Sequence, residues 1–84
     1  MTSSQHRTLK AVFESPTRAD IRWADVESLF KALGADIIER RGSRVCIVLN
    51  GVPSVFHRPH PERIAGKKMV ESVRAMLKAM GIEP

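Results

Sequence analysis

Along this chain the spacing of hydrophobic positions passes from helical to strand-like and back again. Val26, Leu29, Phe30 and Leu33 recur at i, i+3, i+4 and i+7, the single apolar stripe of an amphipathic helix. The spacing predicts a helix over 21–33, with Ile21 stapled onto Val26 at the entry and Gly34 as its left-handed exit residue. Asp25 and Glu27 fall in its first turn, where the helix dipole favours negative charge. Val45 to Leu49 then forms an unbroken apolar run, three of whose five residues are β-branched, and Asn50-Gly51 follows as a strong hairpin signal. Strands are predicted over 35–41, 44–49 and 52–57, joined by two-residue turns at Gly42-Ser43 and Asn50-Gly51. Pro53 cannot donate to a ladder, so the third strand is expected at an edge.

Val70, Val73, Leu77 and Met80, widened by Met69 and Met76, predict a last helix over 67–80 that Gly81 closes. Between it and the strands, Arg58-Pro59-His60-Pro61 reads as an extended linker, because each proline pushes its predecessor out of the helical region. At the other end, Met1–Gln5 is polar and reads as frayed. Leu9, Val12 and Phe13 suggest a short helical turn within 8–15 that Pro16 ends. Residues 1–20 are therefore expected to be an N-terminal extension, and residues 21–84 the domain. Helix, three antiparallel strands and helix, with both helices on one face, make an α+β two-layer sandwich.

Composition narrows the function classes. Eighty-four residues fit one domain with a thin core, and 43% hydrophobic residues argue against disorder. The longest apolar run is five residues, so no membrane span is expected, and the absence of a basic-then-apolar opening makes a cytoplasmic location the default. Cys46 stands alone, which excludes an internal disulfide, and its place in mid-strand reads as a buried inert thiol. The net charge of +5 is unevenly distributed. Residues 1–39 carry five basic and six acidic side chains, whereas 40–68 carry seven basic residues against Glu62 alone. Arg40, Arg41, Arg44, Arg58, Lys67 and Lys68 are thus candidate phosphate ligands, and a nucleic-acid partner is expected. One Trp, no Tyr and three Phe leave little for a base-stacking surface, and Trp23 reads as a packing residue.

The turn lengths predict which side chains meet. A two-residue Asn50-Gly51 turn sets Cys46 opposite Val55 and Arg44 opposite His57. A two-residue Gly42-Ser43 turn sets Arg41 opposite Arg44. Directly opposed residues share a face of the sheet, so Arg41, Arg44 and His57 form one row at one end. Two opposed arginines repel unless an anion lies between them, which is a reason to expect a phosphate there. A slip of one residue in either turn dissolves the row.

The layout is that of small double-stranded-RNA-binding-like domains, and the motifs point further. Leu33-Gly34, Gly42-Ser43, Arg58-Pro59-His60 and Leu77-Lys78-Ala79-Met80-Gly81 occur in the order and spacing of the HicA family, which this chain resembles from about Ile21 to Ile82. The resemblance implies a toxin that cleaves mRNA without a metal and is neutralised by a HicB antitoxin. It also implies a catalytic histidine directly after the Gly-Ser pair. Here that position is Arg44.

Three readings follow. In the first, the chain is a ribonuclease whose acid/base group lies elsewhere: His57 as base, opposite Arg44, and His60, at the family's second histidine, as partner acid. A histidine exchanges protons near neutral pH, and neighbouring arginines stabilise a pentavalent phosphate. The plainer account makes His57 a strand-end residue and His60 a linker residue with ordinary backbone hydrogen bonds. In the second reading Arg44 leaves a module that binds RNA through its cations, recognises A-form shape and cuts nothing. In the third, the basic face serves chiefly an acidic protein partner, a HicB-like antitoxin. No cofactor or metal is expected: a proline-containing extended segment points His57 and His60 apart, no acidic or cysteine ligands cluster nearby, and no Gly-rich phosphate loop opens a helix.

Overall fold

A computed structural model describes residues 1–84. The chain opens with helix α1 (Ser3–Val12), which replaces the expected frayed end and short turn. Its start is fixed by a capping box. Thr2 Oγ1 accepts from the Gln5 amide at 3.1 Å, and Gln5 Oε1 accepts from the Thr2 amide at 2.8 Å. Thr8, Leu9, Ala11 and Val12 of this helix are buried. Helix α2 (Trp23–Ala32) is shorter at its entry than expected, because Ile21–Arg22 form a strand, β1. Gly34 follows α2 with φ +89°, the left-handed exit its position requires.

Strands β2 (Asp36–Glu39), β3 (Arg44–Leu49) and β4 (Val52–His57) make an antiparallel sheet in the order β2-β3-β4. A two-residue strand β5 (Ile64–Ala65) pairs antiparallel with β1, a small second sheet. Helix α3 (Lys67–Ala79) ends the fold. The α+β architecture is as expected, with α1 as a third helix beside α2 and α3. Val45, Ile47, Leu49 and Phe56 of the sheet share one core cluster with Val26, Leu29 and Phe30 of α2 and Val70, Val73 and Leu77 of α3. Leu9, Ala11 and Val12 of α1 belong to the same cluster. Trp23 is buried and packs on Phe56 with ring centroids 5.8 Å apart, a packing residue as expected. No helix is long and apolar enough to cross a membrane.

The pleat sends alternate residues of β3 to opposite faces. Val45, Ile47 and Leu49 face the helices; Arg44, Cys46 and Val48 face outward. On this outer face Ile38 and Val55, at 41% and 55% exposure, flank Cys46. Cys46 is itself only 4% exposed but lies outside the core cluster, shielded by its strand neighbours. Both residues of the Asn50-Gly51 turn take positive φ, 52° and 78°, as a tight primed turn demands. The β3–β4 register is therefore the expected one: Leu49 faces Val52, Cys46 faces Val55 and Arg44 faces His57.

The β2–β3 register is not. Glu39 faces Val45 and Ile37 faces Ile47, one residue away from a two-residue Gly42-Ser43 turn. The loop has three residues, 41–43: the Arg40 amide donates to the Arg44 carbonyl at 3.1 Å, and the Arg44 amide to that of Arg41 at 3.4 Å. Arg41 thus sits on the turn, and the row of Arg41, Arg44 and His57 is replaced by Arg40, Arg44 and His57. The cause lies at the far end of β2. The tight turn would have set Asp36 opposite buried Leu49, placing a carboxylate toward the core. The observed register instead puts Asp36 on the outer face and Ile37 against the core cluster.

Candidate functional site

Chemistry-bearing residues gather where the 41–43 turn, the end of β4 and the wall of α2 meet. On the helix side of the sheet an open cleft of about 670 Å³ lies between these elements. From α2 it is lined by Trp23, Ala24, Glu27, Ser28 and Lys31, which helical spacing places on one face. Gly42 and Ser43 line it from the turn, and Arg58, Pro59, His60 and Arg63 from the segment after β4. Two backbone bonds hold this segment: the Arg58 amide donates to the Ser43 carbonyl at 2.8 Å, and the Trp23 amide to the Arg63 carbonyl at 3.0 Å.

At the base of the cleft Arg58 is clasped by two carboxylates. Its Nε donates to Glu27 Oε2 at 2.7 Å and its Nη2 to Glu27 Oε1 at 3.4 Å. Its Nη1 and Nη2 donate to Glu39 Oε1 and Oε2 at 2.6 and 2.7 Å. Trp23 Nε1 also donates to Glu27 Oε2. The hydrogen bond from Arg58 holds the Glu39 carboxyl below the usual carboxylate range, and the two carboxylates hold Arg58 firmly protonated. The Arg58 bonds link parts of the chain distant in sequence: α2 and β2 to the residue that follows β4.

The sequence candidates divide into three groups. Arg40, Arg44 and His57 lie together on the outer face beyond the turn, with Arg41 on the turn itself; all four are exposed. The Arg44 Nε donates to the Arg41 carbonyl at 3.3 Å. His60 and Arg58 lie on the cleft side, His60 exposed and Arg58 partly buried. Lys67 and Lys68 lie in the first turn of α3, exposed, and that turn holds no acidic residue. The helix dipole adds to their positive potential. His57 and His60 are thus not brought together: one is on the open sheet face, the other in the cleft.

Four polar or charged lining residues are not among the sequence candidates: Glu27, Ser28, Lys31 and Arg63. The spacing of 23, 27 and 31 on one polar helix face was a usable signal, because that face had to border something. No group of three His, Cys, Asp or Glu side chains is arranged to hold a metal ion.

No curated protein and no solved structure matches the chain. A family model does: that of the HicA toxin of bacterial toxin–antitoxin systems matches residues 23–82. The matched segment runs from the first residue of α2 to just beyond α3, so it contains the whole three-stranded sheet and every residue that lines the cleft. With most of its length matched, this chain belongs to the HicA toxin family.

Proposed function

We propose that the protein binds mRNA through its basic hairpin end, cleaves it without a metal, and is neutralised by a HicB-like antitoxin. The observation that carries the reading is the direct pairing of His57 with Arg44 on the open sheet face, in a chain of the HicA family. The family resemblance implies a catalytic histidine at position 44. His57 is the nearest proton acceptor to that place along the ladder. In the proposed step His57 accepts the proton of a ribose 2′-hydroxyl while O2′ forms a bond to the adjacent phosphorus. The P–O5′ bond breaks, and O5′ takes a proton from water, because His60 lies on the cleft side, away from His57. The products are a 2′,3′-cyclic phosphate and a 5′-hydroxyl. Arg44 and Arg40 stabilise the charge on the pentavalent phosphorus, which arginine does well because its fork of N–H donors fits phosphate oxygens.

The test is incubation of the purified protein with mRNA in EDTA, comparing wild type with His57→Ala, His60→Ala and Arg44→Ala. General acid–base catalysis is worth about 10²–10⁴-fold, so His57→Ala is expected to lose activity on that scale. Cleavage untouched by His57→Ala sinks the relocated base. A second reading rests on Arg44 itself: a guanidinium stays protonated and accepts no proton, which favours a module that binds RNA without cutting it. Salt-sensitive RNA binding with no cleavage by wild type supports that reading. A HicB-like protein that displaces RNA supports the antitoxin's place on the same face.

A further inference from the structure

We propose that the cleft beside α2 is a phosphodiester subsite whose cationic ligands are Lys31 and Arg63, and that Arg58 is a positioning residue. The inference rests on the RNA reading and adds to it a second point of contact, on the opposite side of the sheet from Arg44 and His57.

Arg58 is the cation that sequence reasoning places nearest the family-like Arg-Pro-His motif, yet its guanidinium has little left to give. Four contacts to Glu27 and Glu39 use four of its five N–H groups. Two carboxylates around one guanidinium also leave the cluster with a net negative charge, which repels phosphate. What the clasp does is mechanical. It ties α2 through Glu27, β2 through Glu39 and the end of β4 into one frame, and the next residues along the chain are Pro59 and His60 of the cleft wall.

Lys31 and Arg63 have the opposite character. Both are exposed, both line the cleft, and neither has a carboxylate within ion-pairing distance. They approach from different walls. Lys31 lies one turn beyond Glu27 on α2, and Arg63 is fixed by its carbonyl's bond from the Trp23 amide. Gly42 lines the same cleft with bare backbone, with nothing within 4 Å of where a Cβ would stand, beside the exposed Ser43. A volume of about 670 Å³ accommodates a nucleotide unit rather than an isolated ion.

The experiment measures affinity for a ten-nucleotide single-stranded RNA across a salt series. A cation that neutralises one phosphate of a single strand contributes about 0.7 to the slope of log K against log salt. Lys31→Ala and Arg63→Ala are each expected to lower the slope by about that amount, as Arg44→Ala does. Arg58→Gln is expected to leave the slope unchanged. Arg58→Lys, which keeps the charge but not the two-sided fork, is expected to move the His60 imidazole NMR signals. Full slopes in Lys31→Ala and Arg63→Ala, beside a reduced slope in Arg44→Ala, overturn the subsite and leave the RNA reading standing. A slope lost in Arg58→Gln makes Arg58 a ligand, as do unmoved His60 signals in Arg58→Lys should Arg58→Gln not fold. Absence of any salt-dependent RNA binding by wild type overturns both readings.

Discussion

Glu39 is the exposed jaw of the clasp on Arg58, with 69% of its side chain open to solvent. Its carboxyl is held down chiefly by the hydrogen bond from Arg58. A carboxyl whose folded pKa lies below its unfolded value contributes stability above the unfolded value, about 4.3 for Glu, and loses it as pH falls through the folded one. Wild type is therefore expected to lose stability on acidification below about pH 4.3 more steeply than Glu39→Gln, in urea midpoints measured over pH 2–6. Equal slopes would show the contact to be idle. Arg44 offers a second test at this scale. Arg44→His restores the residue that the family resemblance implies after the Gly-Ser pair. It is expected to raise mRNA cleavage at least about tenfold if a proton acceptor on this face limits the reaction. These roles were unevenly legible. The facing of Arg44 and His57 follows from counting across a tight turn, whereas the partners of Arg58 lie 31 and 19 positions away, and no local spacing announces them.

The two hairpin turns show why one register was legible and the other was not. Asn50 and Gly51 are residue types that tolerate positive φ, and a primed two-residue turn needs both positions there. Gly51→Ala forces a Cβ into that region and is expected to cost about 1–2 kcal/mol, seen as a lower urea midpoint with unchanged m-value. In the other hairpin only Gly42 takes positive φ, at +67°, and one such glycine suits a two- or a three-residue loop. What decides is the packing of half-buried Ile37 against the core cluster and the exposure of Asp36 at the far end of β2, a tertiary fact. Strands β1 and β5 are two residues each, too short for any period to show. Helix α1 is different: Thr2-Ser3-Ser4-Gln5 has the capping-box pattern and was readable.

At the scale of the whole molecule, the question is what α1 does for a domain whose family match begins only at residue 23. The helix is bound at both ends of its length. Gln5 Nε2 donates to Ser28 Oγ of α2 at 3.0 Å, and Arg74 Nε of α3 donates to the Val12 carbonyl at 2.8 Å. Arg74 also reaches the Glu14 carbonyl and Thr17 Oγ1 through Nη2, so α3 fastens the chain as it leaves α1. Between these ties Leu9 and Val12 enter the same cluster as Phe30 and Val73. A domain of this size buries a modest fraction of its surface, and its stability belongs at the lower end of the usual range of about 5–15 kcal/mol. Leu9→Ala, which removes one buried side chain, is expected to cost about 2–5 kcal/mol, a large part of that total. Deletion of residues 1–20 strips Leu9, Ala11 and Val12 from the core together and is expected to abolish the cooperative thermal transition. If residues 21–84 instead unfold cooperatively at the wild-type midpoint, α1 merely rests on a core complete without it. The Arg74 bonds would then hold the helix to the domain without holding the domain together.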